Sequence, residues 1–160
     1  MKKIGLLLVI TTTLLVSSCA KMYSNPYSNS TVINHDAQGL VTLRGVSDEV
    51  LDKRNVDGEE ESLKNAHKKA IQQFLYTGFP GTDFKNPVIK KGASVETTHA
   101  AFFEKFWAGD YKKFITKNEV KYFNCKEKNK CISATSEFTI NYNALRKELE
   151  QNKIINKIGF

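Results

Sequence analysis

Apolar positions recur at three- and four-residue spacing between residues 59 and 76. Leu63, Ala66, His67, Ala70, Ile71 and Phe74 fall on one stripe, which predicts an amphipathic helix. Glu59, Glu60 and Glu61 fill its first turn, where carboxylates suit the positive end of the helix dipole. Asp57, with Glu60 three residues on, reads as its cap, and Gly78, Pro80 and Gly81 end it. A second stripe of Val95, His99, Phe102, Phe103 and Phe106 predicts a helix over 95–108, capped by Ser94, with Trp107 beside the stripe. Gly109 and Asp110 break it, and 111–115 make a further turn or two. A last helix is expected over 144–151, with Asn143 as cap, Leu145 and Leu149 inward and Asn152 as stop. The apolar tail of Ile154, Ile155, Ile158 and Phe160 should dock on the domain.

Period-two patterning marks the strands. In 38–46, Leu40, Thr42 and Arg44 point one way and Val41 and Leu43 the other; Gly45 signals a bulge or a close backbone approach. Residues 47–58 are charged and loop-like. Val88-Ile89 offers a short strand that Pro87 confines to an edge. From Cys131 to Tyr142, Ile132, Ala134, Phe138, Ile140 and Tyr142 alternate with Ser133, Thr135, Glu137, Thr139 and Asn141, the clearest half-buried strand in the chain. Paired with 120–125 as a hairpin, it sets Tyr122 opposite Ala134 and Phe123 opposite Ser133, leaving Phe123 exposed or covered by another element. The order strand, helix, short strand, helix, hairpin, helix predicts an α+β domain over 38–160, with helices on one face of a small, mainly antiparallel sheet. An offset of 32 pairs His67 with His99, Phe74 with Phe106 and Val88 with Val120, a weak echo that a duplication would produce.

The amino terminus follows a different pattern. Lys2 and Lys3 precede an apolar run over 4–16, too short to span a membrane, which needs ~20 residues. A basic start, a short apolar middle and small residues before a cut describe a secretory signal. Val16-Ser17-Ser18-Cys19 resembles the lipobox of bacterial lipoproteins. The resemblance implies removal of residues 1–18 and a diacylglycerol thioether on Cys19, with further acylation of the new amino group. At ~0.8 kcal/mol per buried methylene, two or three acyl chains anchor stably where one does not. Ala20 after the cysteine, and no acidic cluster beyond it, imply by the same resemblance an outer-membrane protein facing the periplasm. The stretch from Cys19 to residue 37 is polar and aperiodic and reads as a tether. The alternative is a folded arm, with Tyr23 and Tyr27 packed on the domain.

Composition narrows the partners. The net charge of +7 becomes +5 once Lys2 and Lys3 leave with the signal. Arg44, Arg54 and Arg146 are the only arginines and lie far apart, which argues against nucleic-acid recognition. Cys125 and Cys131 remain after lipidation, and in an oxidising compartment such a pair implies a disulfide. They bracket a polar turn, and closing the seven-residue loop is worth ~2.4 kcal/mol by loop entropy. A redox role is the sharper reading, but the Cys-x-x-Cys spacing is missing and no helix start lies nearby to activate a thiol.

Catalytic and cofactor chemistry find little support. No nucleophile elbow frames a serine, and His35-Asp36 diverge as neighbours in the chain. His67 and His99 sit on apolar stripes as packing residues, and only an unsupported convergence with His35 would make a metal site. No cofactor is expected. Phe102, Phe103, Phe106, Trp107, Tyr111 and Phe114 exceed what one helix face needs; they read either as core with a rim or as an exposed patch for a partner.

The run Gly39-Leu40-Val41-Thr42-Leu43-Arg44-Gly45, the charged loop after it, and Ala66, Ala70, Ile71 and Leu75 on the helix carry a second resemblance. They look like the small α+β domain of outer-membrane lipoproteins related to the amino-terminal domain of a flagellar assembly protein. Phe138-Thr139-Ile140-Asn141-Tyr142, followed by Leu145-Arg146 and Leu149-Glu150, is similar to envelope proteins of the Bacteroidota. The resemblance implies a non-enzymatic envelope protein that binds another envelope protein or a glycan, beside its lipid contact with the membrane. The alternatives are an enzyme of cell-wall or glycan turnover built from scattered residues, and a passive subunit of a larger envelope complex.

Overall fold

A computed structural model describes residues 25–51, 57–124 and 131–157. It is an α+β fold. Strands β1 (Thr31–His35), β2 (Leu40–Val46), β3 (Val50–Leu51), β4 (Ile115–Asn124) and β5 (Cys131–Asn141) form one open antiparallel sheet. Strand β5 is its centre. β4 pairs along one side of it; β2 and then β3 pair along the other, and β1 closes the edge beyond β2. The hairpin register matches the expectation, with Tyr122 opposite Ala134 and Phe123 opposite Ser133. Phe123 is buried.

Four helices, α1 (Gly58–Tyr76), α2 (Val95–Thr98), α3 (Ala100–Ala108) and α4 (Tyr142–Gln151), share one core with the strands. Helix α1 begins as read: the Asp57 side chain accepts hydrogen bonds from the Glu59 and Glu60 amides. It lies across β2 and β5 where their inward residues are small, Gly45 opposite Ser136, with Ala134 two residues along β5. A Cβ on Gly45 would fall 2.3 Å from the Ala66 carbonyl oxygen and 3.3 Å from the Ala70 methyl, so the glycine is what lets helix and strand touch. Phe74, Leu75 and Ile71 from the helix then meet Val41, Leu43, Phe138 and Ile140 from the sheet in the main core.

Several elements differ from the sequence reading. Residues 31–35 form β1 where a tether was expected, because β2 offers them an unpaired edge. Ahead of β1, Asn25 Oδ1 accepts from the Thr135 hydroxyl at 2.8 Å, and the Arg44 guanidinium lies 4.1 Å from the centre of the Tyr27 ring. The folded-arm alternative therefore holds for residues 25–35. Strand β3 falls in the supposed loop 47–58. It follows Ser47, whose amide and hydroxyl both bond to the backbone of Ala134 and keep the ladder in step across the break.

Val88-Ile89 is not a strand. Its amides donate to the carbonyls of Phe74 and Leu75, satisfying the open end of α1, and Ile89 is buried. The helix expected over 95–108 breaks at His99 into α2 and α3, and the Ser94 hydroxyl bonds back to the Lys91 carbonyl instead of capping. Residues 110–114 form a 3₁₀ turn. Strand β4 starts five residues earlier than expected, at Ile115. Asn141, not Asn143, caps α4 by accepting from the Ala144 amide; Asn143 instead donates to the Gln38 carbonyl. The 32-residue echo has no structural counterpart, since Val88 lies in a turn and Val120 in a strand. Of the apolar tail, Ile154 docks in the core. The signal sequence 1–18, Cys19, Cys125, Ile158 and Phe160 lie outside the described residues.

Candidate functional site

The aromatic cluster is core. Phe103, Phe106, Tyr111 and Phe114 are buried, and Phe102 and Trp107 are half-buried against them. Phe106 meets the Trp107 ring edge-on at 4.7 Å. Glu96 Oε1 accepts from both Trp107 Nε1 at 2.9 Å and the Tyr76 hydroxyl at 2.5 Å, tying α2 and α3 to α1. These rings are needed to cover the flank of α1 that the small sheet leaves open. Phe103, Phe106, Tyr111 and Phe114 are therefore core rather than partner surface, with Phe102 and Trp107 as its half-buried rim, the first of the two readings the sequence allowed.

The histidines are not brought together. His35 sits on β1 beside Asp83, with 3.4 Å between Nε2 and the carboxylate, and packs edge-on against Phe84. His99 marks the break between α2 and α3. Among the described residues, no three His, Cys, Asp or Glu side chains converge on a metal-sized point.

His67 is the unusual one. It is only 4% exposed, on the face of α1 that meets β5 and β4. Its Nε2 lies 2.9 Å from Ser136 Oγ and 3.2 Å from Asn118 Oδ1, and the Ser136 hydroxyl donates to the same Asn118 oxygen at 2.6 Å. With the serine proton on Asn118, Nε2 carries the imidazole proton and Nδ1 is a bare acceptor. Burial lowers the pKa to about 4 against the raising pull of the Asn118 bond, and Lys112 lowers it further, so the ring is neutral at pH 7.

The Ser136–His67 contact has the length of a nucleophile–base pair, but its chemistry runs the wrong way. Ser136 is fully buried and its proton points to Asn118 rather than to the imidazole. An attacking hydroxyl needs the base to take its proton and needs access to a substrate.

Two buried polar atoms near this network, His67 Nδ1 and the Tyr111 hydroxyl, have no hydrogen-bond partner among the described residues. Burial is the largest cause raising the Tyr111 pKa, and the Glu60 and Glu61 carboxylates add to it, so the phenol keeps its proton. Both residues line a cavity of about 280 Å³ between α1 and the start of β4. Sequence reasoning set His67 aside as packing and did not register Asn118 or Ser136.

A larger groove of about 560 Å³ runs between the segment after α1 and the chain after α4. Its floor is Phe84, Val88, Tyr142 and Ile155, all half-buried, and Phe84 meets Tyr142 edge-on at 6.0 Å. Lys90, Lys91, Lys153 and Lys157 stand around it, with Arg146 held by Glu150 at 3.0 Å; among the described residues Asp83 is the one carboxylate in its lining. Among the described residues no helix is long and apolar enough to cross a membrane. The chain matches no family model, no curated protein and no solved structure.

Proposed function

We propose that the protein is a bacterial lipoprotein, anchored through Cys19 in the outer membrane and facing the periplasm, that works by binding another envelope protein in the Phe84–Tyr142 groove. The carrying observation is that groove: an aromatic and aliphatic floor ringed by four lysines against one carboxylate, with Arg146 already paired to Glu150, which suits a partner segment with acidic and apolar residues. The anchor rests on the lipobox residues Val16 to Cys19.

The amino-terminal arm adds a geometric consequence. Asn25 and Tyr27 are held on the sheet, so only the stretch 20–24 separates the lipidated residue from the domain. Six Cα steps reach ~20 Å at most, and the domain sits close to the bilayer rather than on a long tether.

The disulfide belongs to the same reading. Asn124, the residue before Cys125, pairs with Ile132, the residue after Cys131. Thiol titration of the unreduced mature protein should find none free.

Two experiments separate anchor from groove. Cys19→Ser should release the protein from membranes and abolish acyl labelling; retention with an unmodified thiol at position 19 would defeat the anchor. A photo-crosslinker at Val88 in intact envelopes should capture a partner that the charge reversals Lys91→Glu and Lys153→Glu together abolish. Equal capture by the charge-reversed protein would defeat the groove.

A further inference from the structure

We propose that the outer edge of β4 pairs with the same edge of a second copy of this chain, antiparallel about Val120, joining the two sheets into one. The pairing needs neither the Cys19 anchor nor the Phe84–Tyr142 groove.

An unpaired sheet edge presents a row of amides and carbonyls that templates another strand unless the edge is blunted. Strand β1 is blunted: it is short, and its register slips between Val32 and Asn34. Strand β4 spans Ile115–Asn124 and, among the described residues, pairs with β5 alone. Its one irregularity lies at its start, between Ile115 and Lys117, so residues 117–123 form a regular edge. Lys117, Glu119 and Lys121 on it are exposed.

Charge selects the occupant and the register. Glu119 lies opposite Glu137, which pairs across β2 with Arg44. These three, with Lys117 and Lys121, occupy the sheet face turned away from α1, because Gly45 and Ser136 occupy the other. Directly opposite residues of an antiparallel pair share a face, and like charges there are destabilising. Pairing about Glu119 would set Glu119 on its own copy and Lys117 on Lys121. Pairing about Asn118 would draw the irregular start of β4 into the ladder. Pairing about Val120 keeps to the regular stretch and sets Glu119 opposite Lys121 of the second copy, twice over. Arg44 stands 2.7 Å from Glu137, and Lys117 2.9 Å from Glu119. The second copy's lysine then closes the row Arg44, Glu137, Glu119 with a cation, where the single chain ends it on two adjacent carboxylates.

The contact is isologous, about a two-fold axis normal to the joined sheet. That axis keeps both α1 helices on one side. Both amino-terminal arms, held at Thr135 and Arg44, lie on the other side. The two chains therefore present their amino termini to the same surface.

The test is charge exchange, read by sedimentation of the purified protein at up to about 500 μM, a range that detects weak self-association. Wild type should dimerise. Glu119→Lys and Lys121→Glu should each weaken dimerisation at least tenfold, roughly the effect of turning two opposite-charge pairs into like-charge pairs. An equimolar mixture of the two variants should dimerise again, since each supplies the charge the other lacks. Both sites are exposed, and circular dichroism checks that both variants fold. Under mild oxidation Val120→Cys should link to its own copy and Glu119→Cys should not, with wild type as the control for the native cysteines. A monomeric wild type at the highest concentration overturns the proposal. So does a mixture no more dimeric than its components, or a link at position 119 as strong as at 120.

Discussion

Lowering the pH from 7 to 5 probes the buried histidine directly. Burial takes His67 from its ordinary 6.5 to about 4. Between those values the unfolded chain binds a proton that the folded chain refuses, so stability rises with pH across that window. The contribution is complete above pH 6.5 and disappears as the pH falls towards 4. Integrated over one site, the loss is under about 1 kcal/mol at pH 6, ~2 kcal/mol at pH 5 and ~3 kcal/mol at pH 4. Carboxylates also titrate here, so the measurement must be a difference. His67→Gln keeps a donor for Ser136 and Asn118 but does not titrate. Urea unfolding followed by the single tryptophan, Trp107, gives both stabilities at each pH. The gap between wild type and variant should shrink by ~2 kcal/mol from pH 7 to pH 5, roughly a 1 M shift in relative midpoint. Parallel curves for the two proteins would mean that His67 titrates alike in both states, and the buried network drawn around Nε2 would be wrong.

Gly45→Ala drives a methyl into the Ala66 carbonyl, which helix backbone cannot yield without moving α1. It should cost about 3 kcal/mol and lower Tm by roughly 10 °C in calorimetry. Asp57→Ala removes the acceptor for two amides at the start of α1 and should cost ~1 kcal/mol by urea unfolding, with activity of the groove untouched. Tyr27→Ala loses the Arg44 contact, worth ~0.5–1 kcal/mol, and should speed amide exchange over 25–35 without changing global Tm.

The elements that sequence patterning located well are those whose faces are decided locally. α1 carries its own stripe, its own acidic first turn and its own cap, and the β4–β5 register followed from alternation about a short turn. Failures came where the decision is made elsewhere in the chain. β1 has no strand pattern of its own and is paid for by the free edge of β2. Val88 and Ile89 are apolar because they close the end of α1 and fill its core, and their amides happen to meet helix carbonyls rather than another strand. Asn141 and Asn143 are two residues apart and equally suited to a cap. Which one served was fixed by the carbonyl of Gln38, a partner 105 residues away in sequence.

The candidate cavity was illegible for the same reason, and more completely. His67 stands on an apolar stripe, Ser136 on a strand of alternating polarity, Asn118 near the start of a strand that patterning placed too late, and Tyr111 among five other aromatic residues. Each has an ordinary local explanation. Only the pairing of β4 with β5 brings Asn118 and Ser136 under the same helix turn, and only the approach permitted by Gly45 lets His67 reach them. The aromatic residues allowed two readings, core with a rim or an exposed patch, and burial decides for the first. Their number suggested a surface, yet a sheet with one main covering helix leaves a flank that Phe103, Phe106 and Phe114 must fill. Tyr111 is the exception within that group, because a phenylalanine would serve the core as well and would leave no hydroxyl unmet. A buried polar atom without a partner among the described residues is therefore a more informative signal than the number of aromatic rings around it.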